Sequence, residues 1–203
     1  MEKLTVFGPE SFTLKPDREE VFKWLLCEEH LPCFDVYSSS WDEAVSILHD
    51  CVSPHAALLR DEDESVTLFI TLGPEAEARI TGLFEQQRYV MASLLNTLCD
   101  EMLFQMDRQA VILLEEALAP EDLHVTAWLE PMVDLSPQDL VKRFQPLLSA
   151  FPYARISHQG MLFPTKSMMY CVPLSHDGCQ QPSLHDCSRC GQKNCLYRSV
   201  RQT

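Results

Sequence analysis

The sequence is poor in glycine, with six in 203 residues, and none of the six stands in a phosphate-cradling loop of the P-loop or dinucleotide type. It also lacks a Gly-x-Ser-x-Gly elbow and a His-Glu-x-x-His pair, so nucleotide and serine hydrolysis find no support in its motifs. Basic residues are scarce: 16 Lys and Arg against 30 Asp and Glu leave a net charge of -14. Such a chain repels nucleic-acid phosphate and an anionic leaflet alike, and neither nucleic acid nor membrane is expected as a partner. Long apolar runs are missing too, none nearing the roughly 18 residues a spanning helix needs. Met1 to Phe12 mixes Glu2, Lys3, Gly8, Pro9 and Glu10 among its apolar residues and does not build the apolar segment of a secretion signal. The expected compartment is the cytoplasm.

What the chain does contain is globular in proportion, 46% hydrophobic and 23% charged, enough apolar mass for a core without disulfide staples. At roughly 150 residues per domain, the length suits one domain with a small appendage. Nine cysteines stand out, because the cytoplasm keeps thiols reduced and an odd count does not suggest a disulfide framework. Cys27, Cys33, Cys51 and Cys99 are scattered in apolar surroundings and read as small core hydrophobes without a function. Cys171, Cys179, Cys187, Cys190 and Cys195 crowd the last 33 residues.

Apolar spacing predicts a helix over 17–30, with Glu20 placed to reach back to a cap at Asp17, and a second helix beginning at the capping box Ser40-Trp41-Asp42-Glu43 and ending before Pro54. Residues 55–60 and 66–72 read as a strand pair around the acidic run 61–64, whose charge belongs in a solvated turn. Gly73-Pro74 starts a helix to about Gln87. The stretch 88–118 contains neither Gly nor Pro and predicts a helix about 45 Å long at roughly 1.5 Å per residue. Residues 124–129 alternate as a strand, Ser136-Pro137-Gln138-Asp139 opens a helix to about Ala150, and 153–174 returns to strands bent at Gly160 and Pro164. Met91, Met102 and Met106 read as packing, and His124 and His158 stay unassigned.

Past residue 175 the periodicity stops. Residues 179–203 carry four Lys or Arg and one acid, about +3, which leaves -17 for the rest of the chain. The expected organisation is therefore a body over 1–175 and a cysteine-rich tail over 176–203. In the tail, Cys179-x7-Cys187-x2-Cys190-x4-Cys195 offers four thiols with little apolar material to fold around, so the segment needs a metal to hold it. The two-residue gap lets Cys187 and Cys190 bind one ion from a tight turn, and Gly191 frees backbone amides to face the sulfurs. Four thiolates suit a [4Fe-4S] cluster, and zinc accepts the same set or recruits His185 or His176 in place of Cys179. A redox dithiol at Cys187 and Cys190 is a third use of these residues.

Three stretches taken in order carry a resemblance. Val66-Thr67-Leu68-Phe69-Ile70-Thr71-Leu72-Gly73-Pro74, followed by a helix and Tyr89-Val90-Met91-Ala92-Ser93-Leu94-Leu95-Asn96, is similar to the strand and long helix of the activation domain of vitamin B12-dependent methionine synthase. Gly160-Met161-Leu162-Phe163-Pro164-Thr165-Lys166-Ser167 resembles that family's M-x-P-x-K-S strand near its ligand, and Cys187-x2-Cys190-x4-Cys195-Leu196-Tyr197-Arg198 looks like the tail of stand-alone, anaerobe-type members. The resemblance implies an α+β fold with a twisted, largely antiparallel sheet flanked by helices. It also implies S-adenosylmethionine presented to an oxidised cobalamin during reductive remethylation. The family's R-x-x-P-G-Y loop would fall at Trp128-Leu129-Glu130-Pro131-Met132-Val133, where only the proline is kept. The missing arginine would have held the ligand carboxylate by paired charge-assisted hydrogen bonds, which counts against S-adenosylmethionine. Glu130, Lys166, Ser167 and Tyr170 are the remaining candidates to line a ligand pocket, and strand packing accounts for the last three equally well.

Two functions follow as expectations. In one, the protein is an accessory for reductive activation of a cobalamin-dependent methionine synthase or another corrinoid protein, with cobalamin met only through that partner and an electron passed through the tail cluster. In the other it is a non-catalytic, zinc-stabilised module that senses a ligand or scaffolds a partner.

Overall fold

In the computed structural model, which describes residues 3–62, 64–129 and 134–177, the chain is α+β. A five-stranded antiparallel sheet runs in the order β1-β2-β3-β7-β4, built from β1 (Leu4–Phe7), β2 (His55–Arg60), β3 (Ser65–Thr71), β4 (His124–Val125) and β7 (Ser167–Ser175). The hairpin of β2 and β3 forms as expected, with Leu58 opposite Leu68. β3 then pairs with β7, Leu68 facing Tyr170 and Phe69 facing Met169. A separate short hairpin joins β5 (Arg155–Ile156) to β6 (Leu162–Phe163). The first strand was not anticipated, although Leu4-Thr5-Val6-Phe7 before Gly8-Pro9 has a strand's residue types.

Helices cover both faces of the sheet, which is why every residue of β3 is buried. Successive strand residues point to opposite faces. Leu58, Leu68, Ile70, Tyr170 and Val172 face the layer made by α1 (Arg18–Trp24), α2 (Cys33–Cys51), α3 (Pro74–Glu85) and α4 (Tyr89–Leu118). Ala57, Leu59, Phe69 and Met169 face the other layer, α5 (Pro137–Phe144) and the 3-10 turn after it. There Phe69 meets Phe144 and Phe151 edge-on, with ring centroids 5.5 and 5.2 Å apart. Helix α4 is the expected long element: its 30 residues bury Leu94, Leu95, Leu98, Met102, Met106 and Leu114 against the sheet and neighbouring helices. Two of its glutamines act as strand edges. Gln109 exchanges hydrogen bonds with the backbone of Thr13, accepting at 2.8 Å and donating at 2.9 Å, and one turn earlier Gln105 holds Lys15 in the same two-way manner.

Several boundaries differ from the sequence expectation, each for a local reason. Helix α1 stops at Trp24, not near residue 30, because Leu26 takes a left-handed φ of 51° and turns the chain. Its cap is Asp17, which accepts from Glu19 N and Glu20 N, while the Glu20 side chain pairs with Lys23 rather than reaching back. Helix α2 begins seven residues before Ser40, at Cys33; Ser40 Oγ donates to Val36 O at 2.9 Å, so the supposed capping box is helix interior. The strand expected over 124–129 shrinks to two residues. Pro173 of β7 has no N–H to return the bond that Thr126 N gives to Pro173 O at 3.0 Å, and pairing resumes only at Leu129 opposite Cys171. Helix α5 starts at the expected N-cap Ser136, which the structure completes into a capping box with Asp139, and then passes into a 3-10 turn at Gln145–Ser149, because Pro146 cannot donate to the preceding turn. Gly160, with a φ of 82°, turns the β5–β6 hairpin, and the Phe163–Pro164 bond is cis.

Candidate functional site

The residues singled out by the sequence fall into three places. Lys166 immediately precedes β7 and points to the α4 side, where its Nζ donates to Asp100 Oδ1 at 2.6 Å. Their side chains are 9% and 18% exposed, so this ion pair is largely desolvated. A buried ammonium is tolerated only when paired and hydrogen-bonded, and Asn96 Nδ2 adds a longer contact to Asp100 Oδ2 at 3.4 Å. Tyr170 shares that face of the sheet. Its hydroxyl donates to Met168 Sδ at 3.3 Å, and its ring stands edge-on to Trp128 with centroids 5.9 Å apart.

Ser167 lies on the opposite face. Its hydroxyl donates to Thr71 Oγ1 at 2.8 Å, and the same oxygen accepts from Gly73 N at 3.1 Å. Gly73 has a φ of 85° and hands the chain to Pro74, the first residue of α3. Lys166 O accepts from Leu72 N at 3.0 Å, and Thr165 N donates to Glu77 Oε2 at 2.7 Å. Residues 165–167 therefore stitch β7 to the start of α3. Lys166 and Tyr170 thus stand on one face of the sheet and Ser167 on the other. Glu130 and all four tail cysteines, Cys179, Cys187, Cys190 and Cys195, lie outside the described residues. Among the described residues no group of three or more His, Cys, Asp or Glu stands close enough to hold a metal.

A second polar centre was not anticipated. Asp61, expected in a solvated acidic turn, is only 14% exposed in its side chain. Its Oδ2 accepts from Thr67 Oγ1 at 2.7 Å, from Ser65 Oγ at 3.3 Å and from Arg143 Nη1 at 2.7 Å. Arg143 also donates to Ser65 Oγ at 2.9 Å, while Cys171 Sγ is 3.6 Å from that hydroxyl. Strands β3 and β7 are thus joined to α5 by one network, whose Asp61 and Arg143 line a cavity of about 510 Å³ together with Lys3, Arg60 and Lys142. The single sequence signal was weak: Ser65 and Thr67 alternate with apolar neighbours, and Arg143 lies on the far side of the chain.

Cysteines are the third feature. Cys51 and Cys99 are buried as expected, and burial pushes both thiols above the ordinary range. Cys27 and Cys33, read from the sequence as unrelated, have sulfurs 3.1 Å apart. No protein-family model matches the chain, and no curated protein matches it either. Among the described residues no helix is long and apolar enough to cross a membrane.

Proposed function

We propose that the protein is an accessory to the reductive activation of a cobalamin-dependent methionine synthase or another corrinoid protein, docking on that partner and relaying an electron through its cysteine-rich tail. The observation that carries this reading is the spacing Cys179-x7-Cys187-x2-Cys190-x4-Cys195, which begins four residues after β7 ends at Ser175. Four thiolates suit a [4Fe-4S] cluster, and a bound cluster would supply the low-potential electron that redox-inert zinc cannot. The α+β body, with its antiparallel sheet and long α4, is the scaffold that the methionine synthase resemblance implies.

S-adenosylmethionine does not fit the residues on the body. Lys166 is already committed to Asp100, and positions 128–133 offer no arginine for a carboxylate. No step is therefore assigned to it, and cobalamin belongs to the partner. The same two observations favour a second reading, a non-catalytic zinc-stabilised module that senses another ligand or scaffolds a partner.

Anaerobic isolation of the full chain with iron, sulfide and zinc analysis separates the two. Electron relay requires iron and sulfide in about equal amounts, roughly four of each per chain, with visible charge-transfer absorption that disappears in Cys187→Ala. Zinc alone, with a colourless protein, removes electron relay and leaves the scaffold. Iron and zinc both absent, with Cys179, Cys187, Cys190 and Cys195 freely reactive, removes both.

A further inference from the structure

Cys27 and Cys33 bracket the connection between α1 and α2. Leu26 turns the chain at the end of α1, and Cys27 N donates to Phe22 O at 2.9 Å, which folds the connection back on the last helical turn. Leu31 N then donates to Glu28 O and Phe34 N to Leu31 O, both at 2.9 Å, and these turns deliver Cys33 as the first residue of α2. Packing holds both ends: the Phe22 ring meets Phe34 at 5.3 Å, Trp41 at 5.8 Å and Tyr37 at 6.5 Å between centroids. The sulfur contact is thus built by two hydrogen-bonded turns and an aromatic cluster. Cys27 is 3% exposed, whereas Cys33 is only partly buried and can be reached from solvent. No third metal-ligating side chain joins them among the described residues.

We propose that Cys27 and Cys33 form a reversible disulfide by exchange with a low-molecular-weight disulfide such as oxidised glutathione, making the α1–α2 connection a thiol modification site. The two sulfurs, 3.1 Å apart, need to close by only about 1 Å to reach bonding distance, and Cys33 is the one an external disulfide can meet. Its thiolate attacks one sulfur of the glutathione disulfide; a Cys33–glutathione bond forms, the glutathione S–S bond breaks, and one glutathione thiolate leaves. Cys27 then attacks the Cys33 sulfur, its proton passing to the first glutathione thiolate through solvent, and the second glutathione leaves and is protonated. Two protein thiols have been oxidised by two electrons, and one glutathione disulfide has been reduced to two thiols. Burial first, and then the adjacent Cys33 sulfur, push the Cys27 thiol up to about 11. That division of labour suits an external attacking thiol and an internal resolving one.

The test uses the full chain equilibrated in mixtures of reduced and oxidised glutathione, quenched by alkylation and digested after glutamate. Glu28 and Glu29 lie between the two cysteines and Glu43 separates them from Cys51, so Cys27 and Cys33 leave on different peptides unless a disulfide joins them. The expected result is a Cys27–Cys33 linked pair that grows with oxidised glutathione and is reversed by dithiothreitol. Cys27→Ser is expected to accumulate glutathione on Cys33 instead. Full alkylation of both cysteines in excess oxidised glutathione overturns the proposal, and so does glutathione retained on Cys33 of the unmodified chain. Because the mapping is read on that chain, failure of the variant to fold does not shelter the proposal.

Discussion

Asp100 and Lys166, 66 residues apart in sequence, form one short ion pair of 2.6 Å that ties the middle of α4 to the beginning of β7. Both side chains are mostly withdrawn from water, so removing one partner strands the other charge. Asp100→Leu is expected to destabilise the protein by about 3–5 kcal/mol in chemical denaturation. The double change Asp100→Leu with Lys166→Met should recover a large part of that loss, since it removes the stranded charge as well. A single-variant loss below about 1 kcal/mol would mean the pair behaves as a surface salt bridge.

Glu101, the next residue on α4, makes a pH-dependent contribution. It is 4% exposed, its Oε1 accepts from Gln105, and its Oε2 has no hydrogen-bond partner among the described residues. Burial is the main cause that raises its carboxyl above the usual range. The folded protein therefore holds this proton to a higher pH than the unfolded chain does, and the contribution to stability falls as pH rises from the ordinary carboxyl range through the raised value. Glu101→Gln should flatten that slope and increase stability at neutral pH. Parallel denaturation curves of the two proteins at acidic and neutral pH, with an unchanged slope, would contradict this account.

Phe69 is the keystone of the α5 face. It is fully buried, opposite Met169, and stands between Phe144 and Phe151. Phe69→Ala is expected to cost about 3–5 kcal/mol through lost burial and the cavity left behind. Phe69→Leu should cost clearly less. Equal losses in the two variants would show that the layer collapses around the smaller side chain.

The body should not need the tail to fold. Among the described residues the buried hydrophobic core runs from Phe12 to Leu174, and β7 is complete at Ser175. A chain ending at Asp177 is expected to keep its far-ultraviolet circular dichroism and a single cooperative unfolding transition. Chelators added to the full chain are expected to leave that body transition in place. Loss of the transition in either case would place folding energy in the cysteine-rich segment.

Local chemistry made much of the fold legible. Freedom from Gly and Pro announced α4, the acidic turn between two short apolar runs announced the β2–β3 hairpin, and Ser136-Pro137 with Asp139 announced α5. Elements failed where a tertiary neighbour overruled a local preference. The serine of a plausible capping box became helix interior at Ser40, since Trp41 is needed against Phe22. β4 was shortened by a proline in its partner strand, Pro173, rather than by anything in its own residues.

The candidate sites divide along the same line. Residue types and spacing alone made Cys179, Cys187, Cys190 and Cys195 a thiolate set, because the ligands of a compact metal site can sit close together in sequence. They also set the excess of acid over base and the long unbroken α4. Only folding could commit Lys166 to Asp100, put Ser167 on the face opposite Tyr170, withdraw Asp61 from solvent into the grip of Arg143, and set the sulfur of Cys27 against that of Cys33. Spacing along a chain is a local quantity, whereas burial and pairing depend on which surfaces the apolar core forces together, and those partners lie up to 82 residues apart.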